Sequence, residues 1–508
     1  MPRTYFSRPQ IQFVRKGASI KRHRLIALMA YLLLVTLVAA GAVIGCRKKS
    51  SPAGPPKGNI ILISIDTLRA DHVGVYGYPK PTTPNLDSFA RDGFMFTQAY
   101  AASPWTLPSH GSMFTGLYPM THGAETIQKR LLDGIPTLAE ILQTRGFATG
   151  AIVCAPFMRP RFQLNRGFDD YDTRFIYPTD KKTKSDEDRF REVKGWKLAN
   201  KVTKWGLDWV DRHREKPFFL FLHYWDPHHP YNPEQKYVDL FDPGYKGNID
   251  SFDMVRREDF NPDMDRADFE HIIALYDGEI RYTDDGIGRL LAGLKKRGLT
   301  ENTMIVITSD HGEEFLEHGG RVHMAQCWQE TIHIPLMMQV PWIDRRGVTL
   351  DAPVSHVDFL PTFLDLLGVG GAPKLQHGLS LARVIENDEP LPRRELLSQT
   401  VRGRLTNHRR GRPGTWTVIL TPELRKFHRF NHPTDGFRAL FDIGKDPKEQ
   451  KDLGETYPKD MDRFAGAYSK FVRAFRKEKA RLHKRQKSET DVNIEPEFQQ
   501  QLKDLGYL

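Results

Sequence analysis

Cysteine is scarce: there are three in 508 residues, Cys46, Cys154 and Cys327, and neither of the latter two has metal-type spacing around it. A disulfide scaffold is thereby excluded, while pairing of Cys154 with Cys327 and two buried thiols both stay open. Internal repeats and low-complexity tracts are absent, which removes solenoid and collagen-like architectures. With 27% charged and 39% hydrophobic residues the chain is not wholly disordered, and it has room for more than one core. Acid is missing from residues 1–57, which hold eleven Lys/Arg, and the whole excess of +11 sits there. The remaining chain is electrically balanced, so the charge gives no argument for nucleic-acid binding.

That basic leader carries Arg15, Lys16, Lys21, Arg22 and Arg24, followed by an uncharged run from Leu25 to Gly45 and then Cys46. The pattern is an export signal, and the run is also long enough for a retained N-terminal transmembrane helix. Val43-Ile44-Gly45-Cys46 resembles a bacterial lipobox, in which Cys46 becomes the lipidated N-terminus. Both readings give a membrane-associated protein whose body lies outside the cytoplasm.

The expected organisation is a signal or anchor over 1–45, a tether over 46–58, a catalytic domain over 59–385, a small C-terminal subdomain over 386–469 and a basic helical tail over 470–508. From Asn59, β-branched runs alternate with helical patterns, predicting an α/β fold with a large, mainly parallel sheet flanked by helices. Ile60–Ile65, Phe218–His223 and Met304–Thr308 read as strands, and Ala274–Lys296 as a packing helix. Further on, Leu396–Thr400, Trp416–Leu420 and Ala439–Asp442 predict a small sheet. Lys470–Lys487 reads as a solvated amphipathic helix or as one lying on anionic lipid.

Ligands of open α/β sheets bind beyond the carboxyl ends of the strands. Three strands there end in Ser64-Ile65-Asp66-Thr67, His223-Tyr224-Trp225-Asp226-Pro227-His228 and Thr308-Ser309-Asp310-His311-Gly312. Converging carboxylates and imidazoles predict a metal site. Ser103-Pro104-Trp105-Thr106-Leu107-Pro108-Ser109-His110-Gly111 reads as a helix start, a place that attracts anions. Thr106 is either a helix cap or, beside a divalent cation, a nucleophile.

These segments, with Thr83-Pro84-Asn85-Leu86-Asp87, Phe114-Thr115-Gly116-Leu117-Tyr118-Pro119, Asp226-Pro227-His228-His229-Pro230-Tyr231 and Tyr276-Asp277-Gly278-Glu279-Ile280, carry a family resemblance. The chain resembles a sulfatase-family member of the alkaline phosphatase superfamily over most of residues 59–455. The resemblance implies a large α/β domain, a small C-terminal antiparallel sheet and one main divalent metal ion. It places Thr106 where the family has the Cys or Ser that becomes formylglycine, and His110 where it has arginine. Thr67 replaces the second aspartate of the usual pair, and Val153-Cys154-Ala155-Pro156 replaces a Gly-Lys-x-His element that holds sulfate.

The implied ligands are Asp66, Asp310, His311 and Thr106, a set containing imidazole and therefore suited to manganese or zinc better than to calcium. The implied catalytic groups are Thr106, His228 and His323, with Arg69, His110 and His318 as substrate-binding candidates. For Arg69, bracing a loop is the equal alternative; Asp277 and Glu279 read as anchors of a packing helix. The expectation is a metal-dependent ester hydrolase or transferase acting on phosphate mono- or diesters of a small molecule, glycan or lipid. Sulfate-ester hydrolysis and a non-catalytic envelope-binding lipoprotein are the alternatives.

Overall fold

The computed structural model describes residues 56–174, 198–251, 254, 258–403, 414–434 and 436–484, with 491, 492, 494–496, 498, 499 and 502 of the C-terminal stretch. The leader, its apolar run and Cys46 lie outside the described residues. Contacts divide the chain after Gly54, and every described residue belongs to the unit Pro55–Leu508. Among the described residues no helix is long and apolar enough to cross a membrane.

Asn59–Ile65 (β1) is buried at every position. A β-branched run with no polar alternation is the signature of a strand covered on both faces. Phe94–Phe96 (β2), Ala148–Ile152 (β3), Asp170–Asp172 (β4), Phe218–Tyr224 (β5), Thr303–Ser309 (β6), Leu336–Gln339 (β7) and Val348–Leu350 (β8) complete an eight-stranded sheet, ordered β8-β2-β7-β6-β1-β5-β3-β4. β1 pairs in parallel with both β5 and β6, while β7 runs antiparallel to β6 and β2. The predicted α/β class and mainly parallel sheet are therefore observed, and the three strands expected from the sequence agree within a residue at each end.

Register is what positions the site. Ile65 stands opposite Tyr224 on one side and Ser309 on the other, so the chain leaves all three strands at the same level, at Asp66, Trp225 and Asp310. The packing helix begins earlier than its apolar spacing suggested, running from Arg266 to Lys296. Asp265 caps its start by accepting hydrogen bonds from the amides of Ala267 and Asp268, at 2.8 and 3.3 Å.

The small sheet comprises Leu396–Gly403 (β9), Gly414–Leu420 (β10), Arg425–Asn431 (β11) and Phe437–Asp442 (β12), antiparallel in chain order. One helix runs from Pro458 to His483, across the residue-470 boundary drawn from charge. Its apolar stripe is covered by protein: Phe464 stacks on Phe427 with ring centroids 5.4 Å apart, and Phe475 packs against Tyr118 and His377. That leaves the solvated amphipathic reading of this helix and removes the one in which the stripe faces lipid.

Candidate active site

Asp66, Asp310 and His311 converge where β1 and β6 end, and none of the three is exposed. His311 Nε2 lies 3.5 Å from Asp66 Oδ1 and 3.4 Å from Asp310 Oδ2. His311 Nδ1 donates to the Gly312 carbonyl at 2.9 Å, which fixes the tautomer and turns an unprotonated Nε2 toward the carboxylates. No side chain fits at the next position, because a Cβ on Gly312 would stand 1.9 Å from the Glu330 carbonyl oxygen.

Thr106 opens the helix Thr106–Thr115, whose N-cap position belongs to Trp105 and has no side-chain cap bond. The capping role for Thr106 is thereby replaced: its Oγ1 stands 3.4 Å from His311 Nε2. One turn on, His110 Nδ1 donates to the Thr106 carbonyl at 2.8 Å, and Ser64 Oγ donates to His110 Nε2 at 3.1 Å. His110 thus backs the Thr106 turn, with Nδ1 3.7 Å from Asp310 Oδ2.

The residues present fit a divalent ion. Both carboxylate oxygens of Asp66 and Oδ2 of Asp310 are buried without a hydrogen-bond partner. Carboxylates in that state require a compensating charge or must take up protons. Burial indeed pushes both carboxyls well above their usual range, and the charge of Asp66 adds to the effect on Asp310. Ligand atoms around a tetrahedral ion with bonds near 2.1 Å are about 3.4 Å apart, the spacing found here. Asp66, Asp310 and His311 would hold the ion, with the Thr106 hydroxyl beside them.

A second histidine cluster stands at the mouth of the site. His323 Nδ1 donates to Glu313 Oε1 at 2.8 Å, and Tyr231 OH donates to the other oxygen of Glu313 at 2.8 Å. The His323 ring centroid is 4.5 Å from that of His311 and 5.0 Å from that of His228. His228 stacks on Trp225 and donates from Nδ1 to the His229 carbonyl; burial, and then His323, hold its ring well below the usual imidazole range. Val322 and Met324, on either side of His323, are left-handed at φ 57° and 81°, and Thr67 beside Asp66 is left-handed at φ 57°. Such backbone costs about 1–2 kcal/mol per non-glycine residue and concentrates at functional sites.

Arg69 and His318 occupy other surroundings. Arg69 pairs with Asp71 and Glu317 and donates to the Glu313 carbonyl, bracing that loop. His318 stacks on Trp328 and donates from Nδ1 to Glu330 at 2.7 Å. The small sheet and the loop after it reach the same region: Thr400 Oγ1 donates to the Met324 carbonyl at 2.8 Å, and Glu449, beyond β12, accepts from the Gln329 amide at 2.7 Å and from Lys426 Nζ at 2.8 Å. Asp277 accepts from His72, Tyr78 and Lys80 on its packing helix. His223, Glu313 and Tyr231 are functional candidates that the sequence alone does not single out: His223 lies in one of the strand-end segments, Tyr231 closes the Asp226-Pro227-His228 motif, and Glu313 directly follows Gly312.

The sulfatase family pattern matches residues 58–369. An ulvan-active sulfatase of Formosa agariphila is 28% identical over 449 residues, 82% of each chain. An arylsulfatase of Clostridium perfringens is 27% identical over 465 residues, 80% of this chain and 92% of the relative. Among solved structures, a protein in complex with its substrate D-glucosamine-2-N,6-O-disulfate is 20% identical, with a TM-score of 0.66 over 83% of this chain and 98% of its own. The phosphonate monoester hydrolase of Agrobacterium radiobacter is 20% identical, with a TM-score of 0.61 over 82% of this chain and 95% of its own. The fold, the matched pattern and the convergent Asp66, Asp310 and His311 agree, and the chain belongs to the sulfatase family of metal-dependent ester hydrolases.

Proposed function

We propose that this enzyme uses Thr106 as the nucleophile on phosphate mono- or diesters, as a hydrolase or transferase tethered to the membrane outside the cytoplasm. The observation that carries the reading is Thr106 itself, at the first position of its helix, uncommitted to capping and 3.4 Å from His311 Nε2. Asp66, Asp310 and His311 would hold a divalent ion, whose positive charge would let the Thr106 hydroxyl ionise near neutral pH. The imidazole in the set favours manganese or zinc over calcium.

Thr106 Oγ forms a bond to phosphorus as the ester P–O bond breaks. His323, oriented through Nδ1 by Glu313, gives its proton to the departing oxygen, and His228 lies beside it to hold that oxygen. Water or an alcohol then attacks phosphorus, yields its proton to His323, and releases Thr106. Arg69 and His318 support the loop that carries these groups. The substrate is a small-molecule, glycan or lipid ester, selected by loops around the mouth.

Sulfate-ester hydrolysis is the second reading, favoured by the sulfatase names of the relatives. Against it stand threonine where formylglycine forms, His110 at the arginine position, and the buried Val153, Cys154, Ala155 and Pro156 where sulfate-holding groups are expected. The leader and its Val43-Ile44-Gly45-Cys46 element support the tether, and Cys46→Ser is expected to abolish acyl labelling.

The test is turnover of aryl phosphate mono- and diesters and of aryl sulfate by the full-length protein in detergent, with divalent metal, beside Thr106→Ala. Phosphate-ester cleavage that Thr106→Ala abolishes supports the reading. Sulfate cleavage as the faster reaction, or a fully active Thr106→Ala, overturns it.

A further inference from the structure

His223 is the penultimate residue of β5, at 0% exposure, and neither of its ring nitrogens has a hydrogen-bond partner. A fully buried imidazole in that state is rare and calls for a ligand. Its Nε2 lies 3.3 Å from Asp66 Oδ2, whereas His311 Nε2 lies 3.5 Å from the other oxygen, Asp66 Oδ1. One carboxylate therefore has an imidazole on each of its two oxygens. The site contains two groups, each with mutual ligand-atom distances within 4.8 Å: Asp66, Asp310 and His311 form one, and His110, His223 and Asp310 the other.

From this geometry we propose a second divalent-cation site, held by His223 Nε2 with Asp66 and Asp310, the two carboxylates bridging it to the ion at His311. The proposal rests on the reading that Asp66, Asp310 and His311 hold an ion. The 3.3 Å spacing between His223 Nε2 and Asp66 Oδ2 matches the roughly 3.4 Å expected between neighbouring ligands of a transition-type ion. It accounts for two orphaned atoms that a single ion at His311 leaves unexplained, Nε2 of His223 and the second oxygen of Asp66. His110 forms the far wall of this pocket. Its Nδ1, 3.7 Å from Asp310 Oδ2, is committed to the Thr106 carbonyl and its Nε2 accepts from Ser64 Oγ, so His110 borders the site and is not among its ligands.

The consequence for substrate is one of charge. A single divalent ion is neutralised by Asp66 and Asp310, whereas a second leaves net positive charge beside Thr106. That favours a dianionic phosphate monoester over a monoanionic diester or sulfate.

The experiment uses the full-length protein in detergent, stripped by a chelator, reloaded with excess Mn2+ and freed of unbound ion. Metal per chain is measured by plasma mass spectrometry, and the paramagnetic resonance spectrum is recorded. Two ions per chain with an exchange-coupled spectrum is the expected result, and His223→Gln should hold one ion with the spectrum of an isolated Mn2+. One ion in the unaltered protein with an uncoupled spectrum overturns the second site and leaves the Thr106 reading standing. No bound metal overturns both. The unaltered protein's spectrum decides the matter even where His223→Gln fails to fold, and a His223→Gln chain that keeps two coupled ions refutes the role of His223.

Discussion

Replacing Glu313 by glutamine removes a charge while keeping the volume, and its effect can be worked from the surroundings. Glu313 is fully buried, His323 is 7% exposed, and the bond between them is 2.8 Å long. A hydrogen bond that carries charge in such a place contributes about 2–3 kcal/mol. Lost from the transition state alone, that is about 30- to 150-fold in kcat. The loss is selective, because a proton donor matters only where the departing oxygen needs one. With aryl phosphates of increasingly basic leaving groups, Glu313→Gln is expected to match the parent within about 3-fold for the best leaving group and to fall by the full factor for the poorest. Steady-state kcat across such a series, at fixed metal and pH, is the assay. An equal loss for every leaving group would refute the reasoning and make Glu313 a determinant of loop position alone.

Acid is expected to destabilise the fold through the buried Lys426, His428 and Glu449. Trp416 Nε1 donates to His428 Nδ1 and His428 Nε2 donates to Glu449, so the ring is neutral in the fold; burial depresses it to about 4, and Lys426 helps hold Glu449 at about 2. Both folded values lie below the unfolded ones, so the unfolded chain binds more protons and stability falls as pH drops from about 6.5 toward 4, then further toward 2. His428 accounts for up to about 3 kcal/mol of the first window, which thermal melts of His428→Gln against pH should flatten. Val322→Gly relieves a left-handed β-branched residue and should leave the melting temperature equal or higher, by up to about 1 kcal/mol of stability. Its kcat should fall as His323 loosens, and unchanged turnover would detach that backbone from the chemistry. Asp310→Asn should lower bound metal in the same mass-spectrometric measurement.

The strands that carry the site were legible because β1, β5 and β6 are unbroken apolar runs with polar residues waiting at their ends. Asp66, Asp310 and His311 follow directly from that pattern, and the structure brings them together. His223 was less legible, since a strand buried on both faces offers no alternation to show which way its last side chain points. Glu313 and Tyr231 acquire meaning only through a contact spanning 82 residues. β11 lies outside the strands expected of the small sheet for an electrostatic reason: Arg425, Lys426, His428 and Arg429 make a basic run with no apolar alternation, yet Lys426 and His428 are wholly buried around Glu449. Arg69 was undecided in sequence because one of its partners, Glu317, lies 248 residues away.

The clamps from the small sheet and the loop after it onto the His323 region bear on biogenesis. Thr400 lies 76 residues beyond the Met324 carbonyl it holds, and Glu449 lies 120 residues beyond the Gln329 amide. A chain emerging from its N-terminus presents Asp66 long before Thr400 and Glu449, so the His323 loop is fastened only after residue 449 has emerged. Nascent chains that stop short of it therefore carry Asp66, Asp310 and His311 without that fastening. If His323 is the proton donor proposed above, the segment from Thr400 to Glu449 is what completes the site.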